Sequence, residues 1–180
     1  MTAVPCTQKP DIRPAAGETE FTSRFFAPYQ RAIETALQIL CDARSRIDPP
    51  RAVYAITFRL KSPVSICGKL IKKHLPATAA CANAALQDIA GLRVVLDSKE
   101  SVYRFASLLR TSPALELIEE HDYIANPKKS GYRSLHLVVR VPVCVNGLAY
   151  LVPAEIQLRT ASMDMWASIE HKLIYKPATS

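Results

Sequence analysis

Three features that would place this chain in a specialised class are missing from its sequence. No apolar run is long enough to span a bilayer, so no membrane segment is predicted. The N-terminus lacks the basic-then-apolar layout of a secretory signal. The five cysteines form no CxxC pair and are odd in number, which favours reduced thiols in a cytoplasmic protein over a disulfide framework. Cys41 and Cys144 are predicted to be small buried hydrophobes.

Composition and length are those of an ordinary globular protein. A chain of 180 residues suits one domain with a sizeable core. Residues 1–20 hold three prolines and few apolar residues, which predicts a disordered N-terminal arm before a folded domain over 21–180. The formal charge of +7 has two interpretations, a solvated surface or a surface for an anionic partner such as nucleotide phosphates or RNA.

The periodicity of apolar residues predicts helices and strands in a mixed order. One helix, one strand, a second helix capped by Ser62-Pro63, a second strand and a third helix come first. A run of strands follows, two of them joined by the hairpin signal Asn146-Gly147, and a last helix covers about Ala161 to Tyr175. Trp166 and Ile169 are expected to face the core from that helix. This order indicates an α+β fold with a mixed β-sheet and helices packed on it.

Two of the predicted strands, Gly131–Val139 and Glu155–Thr160, carry an unusual polar face. Side chains alternate across a strand, so each of these strands has one apolar face and one polar face. The polar faces carry Tyr132, Ser134, His136, Glu155, Gln157 and Arg159. Such a mixture of charged and hydrogen-bonding groups on neighbouring strands favours a functional site over a merely solvated surface.

The groups that a nucleotide polyphosphate needs occur along the chain. Lys61 and Ser62 stand where a strand meets a helix N-terminus, which favours anions, and Lys69 follows on that helix. Asp88 and Glu155 supply the hard oxygen ligands that Mg²⁺ prefers. Three flat side chains suit stacking on a base: Arg59, Arg93 and Tyr132. Each residue taken alone has an ordinary structural explanation, and their concentration on one alternating face favours a site.

Several blocks of the sequence resemble the synthetase domain of RelA/SpoT-type enzymes, which make the alarmone (p)ppGpp, and most of all the short single-domain alarmone synthetases. The blocks, in the family's order, are Arg59-Leu60-Lys61-Ser62-Pro63 with Lys69, Asp88 to Arg93, Asp122-Tyr123-Ile124 with Asn126-Pro127-Lys128, Gly131 to Val139, Glu155 to Thr160 and Met163 to Leu173. The resemblance implies a nucleotidyltransferase-like α+β fold and a GTP/GDP diphosphokinase. Such an enzyme moves the β,γ-pyrophosphate of ATP to the 3′-hydroxyl of GDP or GTP and releases AMP in a stringent or stress response.

The resemblance also implies residue roles. Asp88 and Glu155 would be catalytic and would hold Mg²⁺, and Glu155 would take or help to take the 3′-hydroxyl proton. The residues implied for ATP are Arg59, Lys61, Ser62, Lys69 and Arg93, and those implied for the acceptor nucleotide are Lys128, Tyr132, His136 and Gln157. The implied partners are ATP and GDP or GTP, with RNA and a homo-oligomer as further candidates and no membrane.

Two alternatives stay open, and one is rejected. The chain could be a toxin-like relative that pyrophosphorylates adenine nucleotides or tRNA 3′ ends, or a catalytically silent nucleotide- or RNA-binding regulator. His121-Asp122 might suggest the hydrolase of long bifunctional relatives, but that site needs several His and Asp ligands gathered on helices. The chain has four histidines, and His121 falls in a predicted strand.

Overall fold

The computed structural model describes residues 20–174, with the backbone alone for residues 50 and 171–174. Ten main elements follow one another along the chain: α1 (Ser23–Arg46), β1 (Val53–Leu60), α2 (Pro63–Lys72), α3 (Ala79–Ala85), β2 (Ala90–Leu96), α4 (Lys99–Arg110), β3 (Glu116–Asp122), β4 (Leu135–Val145), β5 (Leu148–Thr160) and α5 (Ala161–Ile174). This is the predicted order of helices and strands, with α3 as an additional short helix between α2 and β2. The predicted arm over 1–20 lies outside the described residues except for Glu20, whose carboxylate accepts a hydrogen bond from Ala79 N.

The five strands form one mixed sheet in the order β1-β2-β5-β4-β3. The central pair β2 and β5 is parallel, whereas β1–β2, β5–β4 and β4–β3 are antiparallel. The hairpin between β4 and β5 turns at Asn146 and Gly147, which both have positive φ, as the Asn-Gly signal predicts. The predicted α+β fold with a mixed sheet is therefore confirmed.

The hydrophobic core lies between one face of the sheet and the helices α1 and α4. Both helices contact the sheet and each other. The strands supply alternate apolar side chains to this face, and the largest fully buried ones are Leu92, Leu96, Leu135, Leu137, Ile156 and Leu158. Because alternate residues point the other way, the intervening positions of β2, β4 and β5 are displayed on the opposite face, where α5 packs against β5 and β2.

Three sequence-based expectations are wrong in detail. The strand predicted from Gly131 begins only at Leu135, because Gly131 has φ +82° and the chain turns between Lys128 and Gly131. Trp166 and Ile169 are about half exposed, since α5 faces the core through Met163. Cys41 and Cys144 are exposed. Among the described helices, none is both long enough and apolar enough to cross a bilayer.

Candidate active site

The face of the sheet opposite α1 and α4 holds a cleft of about 850 Å³. Nine of the eleven residues singled out from the sequence line it: Arg59, Lys69, Asp88, Arg93, Lys128, Tyr132, His136, Glu155 and Gln157. The register explains the convergence, because Gly91 pairs with Glu155, Arg93 pairs with Gln157 and Gln157 pairs with His136. The alternation of the strands thus brings residues from distant parts of the sequence to one surface.

A carboxylate held by two lysines lies at one side of the cleft. Asp88 Oδ2 accepts hydrogen bonds from Lys61 Nζ and, at 2.8 Å, Lys69 Nζ. Lys61 is placed by the hydrogen bond from its backbone N–H to Ile89 O at 2.9 Å. Burial raises the pKa of the Asp88 carboxyl, but the hydrogen bonds and the positive charges of Lys61 and Lys69 together outweigh burial and leave that pKa below its ordinary value. Burial likewise lowers the pKa of the Lys61 ammonium, and Asp88 offsets this only in part.

The second oxygen of this carboxylate is available to a ligand. Asp88 Oδ1 is buried and has no hydrogen-bond partner. Buried carboxylate oxygens are almost always paired, so an unpaired one of this kind suits a cation or a hydrogen-bond donor. The residues present therefore fit a divalent cation with oxygen ligands, and Glu155 lies near enough to Asp88 for their charges to interact. No cluster of three or more His, Cys, Asp or Glu suited to a metal occurs among residues 20–174.

A second carboxylate, Glu155 on β5, lies on the floor of the cleft. Its Oε1 is 3.0 Å from His136 Nδ1, and its Oε2 accepts a hydrogen bond of 2.7 Å from Gln157 Nε2. Burial raises the pKa of the Glu155 carboxyl, but the interactions with His136 and the hydrogen bond from Gln157 together outweigh burial and hold the pKa below its usual value. Each carboxylate oxygen has two lone pairs, so an ionised Glu155 still has capacity to accept a proton or a further hydrogen bond.

Aromatic and cationic side chains form the wall next to Glu155. The rings of Tyr123, Tyr132 and His136 meet edge to face, with centroids 5.2–6.0 Å apart. Lys128 Nζ lies over two of these rings, 4.5 Å from the centroid of Tyr123 and 5.1 Å from that of Tyr132. This wall combines flat rings with a cation that lies over two of them, and these groups suit a nucleoside base and an anionic group.

Both nitrogens of His136 and the amide of Gln157 are already engaged within the protein. His136 Nε2 is 2.8 Å from Tyr132 Oη, and its Nδ1 faces Glu155. Gln157 bonds Glu155 through its nitrogen and Arg159 through its oxygen. The acceptor contacts inferred for His136 and Gln157 stay predictions, and their bonds in this structure serve to hold Glu155.

Next to the main cleft, a smaller cavity of about 200 Å³ lies between two arginines. Arg59 and Arg93 both line it, together with Gly91. Arg93 Nη1 pairs with Asp164 at 3.1 Å, whereas its Nε is buried without a partner. Two guanidinium planes at the walls of one cavity can hold a flat heterocycle by stacking.

Ser62 is the one predicted site residue that stands apart from the others. Its side chain caps α2 by accepting a hydrogen bond from Ser65 N at 3.3 Å, in the predicted cap-then-proline order. Ser62 is exposed and lines neither cavity. Its role toward a donor phosphate stays a prediction.

Arg159 and Asp164, like Tyr123, received no role from the sequence. Arg159 is 4 % exposed and bonds Tyr132, Gln157, Ser134 and Asp164. Asp164 at the start of α5 bridges Arg159 and Arg93, each at 3.1 Å. The alternation Glu155-Gln157-Arg159 was a usable signal for Arg159, whereas nothing in the local pattern distinguishes Asp164 from a helix-start carboxylate that favours the helix dipole.

Comparison with known proteins adds an independent finding. Residues 58–180 match a family model described as the region found in RelA / SpoT proteins. The chain is 36 % identical over 145 residues to the GTP pyrophosphokinase YwaC of Bacillus subtilis, and the matched region covers 81 % of this chain and 69 % of that protein. It is also 36 % identical over 157 residues to the GTP pyrophosphokinase YjbM of the same organism, covering 85 % and 72 % of the two chains.

Solved structures give the same picture for the fold. The small alarmone synthetase 1 of Bacillus subtilis bound to its product pppGpp superposes with a TM-score of 0.78 at 34 % identity, covering 87 % of this chain and 81 % of that one. The same protein bound to AMPCPP gives a TM-score of 0.71 at 32 % identity, with 84 % and 77 % covered. With the family region matched over more than half of its length and relatives of this identity, the chain belongs to the RelA/SpoT family and is similar to its small alarmone synthetases.

Proposed function

We propose that this chain is a (p)ppGpp synthetase that transfers the β,γ-pyrophosphate of ATP to the 3′-hydroxyl of GDP or GTP and releases AMP. The observation that carries the proposal is the pair of carboxylates in one cleft, Asp88 with an orphan oxygen beside two lysines and Glu155 beside a flat ring. Membership of the family and similarity to proteins named GTP pyrophosphokinases support it.

On the donor side, the proposal assigns ATP to the Asp88 end of the cleft. The adenine would stack between Arg59 and Arg93 in the smaller cavity, where Arg93 Nε has a free donor. Lys61 and Lys69 would neutralise the phosphates, as both already pair with a carboxylate there. Phosphoryl-type transfer depends mainly on positioning and on neutralising charge, and this end of the cleft offers both.

On the acceptor side, the guanine would stack on Tyr132 and Lys128 would pair with an acceptor phosphate. Glu155 would accept the proton of the 3′-hydroxyl as that oxygen forms its bond to the β-phosphorus. The bond between the β-phosphorus and the oxygen bridging it to the α-phosphate then breaks, and its electrons leave with AMP. An ionised Glu155 is available for this role because His136 and Gln157 together keep its pKa below the usual value despite burial.

Asp88 and Glu155 are proposed to hold a divalent cation, Mg²⁺, together with phosphate oxygens. The free Oδ1 of Asp88 and the purely oxygen donor set support this assignment. When bound, the cation supplies neutralisation of charge on the β,γ-phosphates. A cytoplasmic location is also proposed, whereas the RNA partner and the homo-oligomer stay predictions.

The test is transfer of label from [γ-³²P]ATP, separated by thin-layer chromatography, with Mg²⁺ present and with GDP, GTP, no acceptor or bulk tRNA offered separately. We expect label on a guanosine product together with an equal amount of AMP, and loss of both when a chelator removes the metal. Glu155→Gln keeps the size of the side chain and should lower the rate by about 10²–10⁴-fold, the usual contribution of a general base.

Label on tRNA or on an adenine product instead would overturn the guanosine assignment and favour the toxin-like alternative. No transfer to any acceptor would favour the silent binder. A Glu155→Gln variant with the wild-type rate and the wild-type melting temperature would refute the role of Glu155 as base.

A further inference from the structure

Five side chains on the floor of the cleft close a ring of hydrogen bonds. Arg159 Nη2 donates to Tyr132 Oη at 2.5 Å and to Gln157 Oε1 at 2.8 Å. On one arm of the ring, Tyr132 Oη is 2.8 Å from His136 Nε2, and His136 Nδ1 is 3.0 Å from Glu155 Oε1. On the other arm, Gln157 Nε2 donates to Glu155 Oε2 at 2.7 Å. The ring therefore has Arg159 at one end and the carboxylate of Glu155 at the other.

Two groups fix the donors and acceptors at the ends of this ring, because the guanidinium of Arg159 only donates and the ionised carboxylate of Glu155 only accepts. The two hydrogens of Nη2 serve one arm each. Tyr132 Oη accepts from Arg159 and is paired with His136 Nε2, and His136 Nδ1 donates to Glu155 because a carboxylate only accepts. Gln157 accepts through its oxygen and donates through its nitrogen. Both arms thus deliver a donor to Glu155, one to each carboxylate oxygen.

Arg159 is itself fixed by contacts outside the ring. Its Nε donates to Ser134 Oγ at 3.3 Å, and Ser134 is fully buried with its hydroxyl 3.3 Å from Leu158 O. Its Nη1 pairs with Asp164 of α5 at 3.1 Å. The guanidinium of Arg159, which belongs to β5, is therefore held by the segment before β4 and by α5. Because the guanidinium is planar and rigid, its fixed position also fixes the directions of the two hydrogen bonds that Nη2 donates.

We propose that Arg159 is the positioning residue of this site. It fixes both carboxylate oxygens of Glu155 through the two arms of hydrogen bonds, and the same bonds fix the aromatic side chain of Tyr132 relative to that carboxylate. This inference rests on the proposed function, in which Glu155 takes the 3′-hydroxyl proton and Tyr132 stacks on the guanine. A base works only within hydrogen-bond reach of its proton, and a misplacement of about 1 Å can cost roughly 10²-fold in rate. The acceptor's base and its reacting hydroxyl would accordingly be located by one connected set of side chains.

The first test is Tyr132→Phe, which keeps the stacking ring and removes the oxygen that joins Arg159 to His136. We expect kcat to fall roughly 10–100-fold, because Glu155 loses its fixed orientation. KM for GDP should change by no more than about twofold, because the aromatic ring that stacks on the guanine remains. A role of the hydroxyl in folding alone would lower the melting temperature and leave kcat per folded molecule unchanged. An unchanged kcat would overturn the proposal even if no variant of Arg159 can be purified.

The second test is a double-mutant cycle of Tyr132→Phe with Arg159→Met. Arg159→Met removes the origin of both arms, so adding Tyr132→Phe should lower kcat by no more than a further twofold or so, where independent effects would multiply. Arg140→Met is the matched control, since Arg140 of β4 is an exposed ion-pair partner of Glu116 outside the cleft and the variant should keep the wild-type kcat.

If the effects of Tyr132→Phe and Arg159→Met on kcat multiply in the double variant, the role of Arg159 is overturned. If the wild type itself forms no guanosine product, the proposed function fails and the inference with it, whereas an active wild type with an unaffected Tyr132→Phe variant refutes the inference alone.

Discussion

At the scale of single residues, the donor side of the cleft depends on a glycine, Gly91, which has no side chain. A Cβ placed on Gly91 would lie 3.3 Å from Arg59 Cγ and 3.4 Å from Arg59 Nε. Gly91 and Arg59 are cross-strand partners in β2 and β1, so the stem of the arginine lies across the glycine. The absence of a side chain at 91 therefore sets the position of a guanidinium proposed to stack on adenine.

We predict that Gly91→Ala raises KM for ATP by up to about tenfold and leaves the stability of the fold unchanged or slightly higher. The new methyl group displaces Arg59 and weakens stacking worth about 1 kcal/mol, while alanine suits a strand interior better than glycine. Steady-state kinetics with varied ATP and a thermal melt measure the two effects. Gly68→Ala is the matched control, because a Cβ there meets nothing within 4 Å; equal KM values for the two variants would contradict the prediction.

Most members of the candidate site could be predicted from the sequence, because they alternate along strands. Glu155, Gln157 and Arg159 share one face in any strand conformation, so the structure only had to bring that face to the cleft. The ring around Arg159 was beyond sequence reasoning. It depends on Tyr132, which precedes β4 and reaches His136 through a turn rather than through strand alternation.

At the scale of elements, α2 combines strong end signals with a weak interior. Ser62 caps it, Pro63 occupies its first turn, and Lys69 and Lys72 lie in its last turn. Ile66 and Leu70 bury its apolar side completely. Gly68 in the interior is the exception, since glycine costs about 0.5–1 kcal/mol relative to alanine in a helix.

We predict that Gly68→Ala raises the free energy of unfolding by about 0.5–1 kcal/mol, which corresponds to roughly 1–4 °C in melting temperature for a chain of this size. The space around Gly68 is open, so no clash offsets the gain. Gly147→Ala should have the opposite sign, because Gly147 has φ +77°, where alanine is strained. Thermal melts of both variants beside the wild type measure this, and shifts of the same sign would refute the argument.

Helices and strands could be predicted where apolar periodicity was long, as in α1, α4 and the β4–β5 hairpin. The start of β4 was misplaced because the period-2 pattern continues through Gly131 to Ser134, although the backbone there turns at Gly131 and Ser134 bonds Leu158 O. Trp166 and Ile169 were misplaced because a helical pattern shows that an apolar face exists and not which neighbour covers it.

At the scale of the whole molecule, one buried tyrosine links two helices that are distant in the sequence, α1 and α3. Tyr29 of α1 is 4 % exposed, and its hydroxyl donates to Asn83 Oδ1 of α3 at 2.7 Å. Burial raises the pKa of Tyr29 to about 12, from an ordinary value near 10. The folded state thus keeps this hydroxyl protonated at pH values where the unfolded chain ionises it.

We therefore predict a loss of stability in alkaline solution that depends on Tyr29. Below pH 10 the group is protonated in both states and its contribution is fully present. Between pH 10 and 12 only the unfolded state loses the proton, so the free energy of unfolding falls, by at most about 2–3 kcal/mol. Urea unfolding of the wild type and Tyr29→Phe between pH 9 and 11.5 measures this, and the wild type should lose its advantage over the variant as pH rises. Tyr54→Phe is the matched control, because Tyr54 is 62 % exposed; a constant difference between wild type and Tyr29→Phe across this range would show that burial of the phenol does not couple to folding.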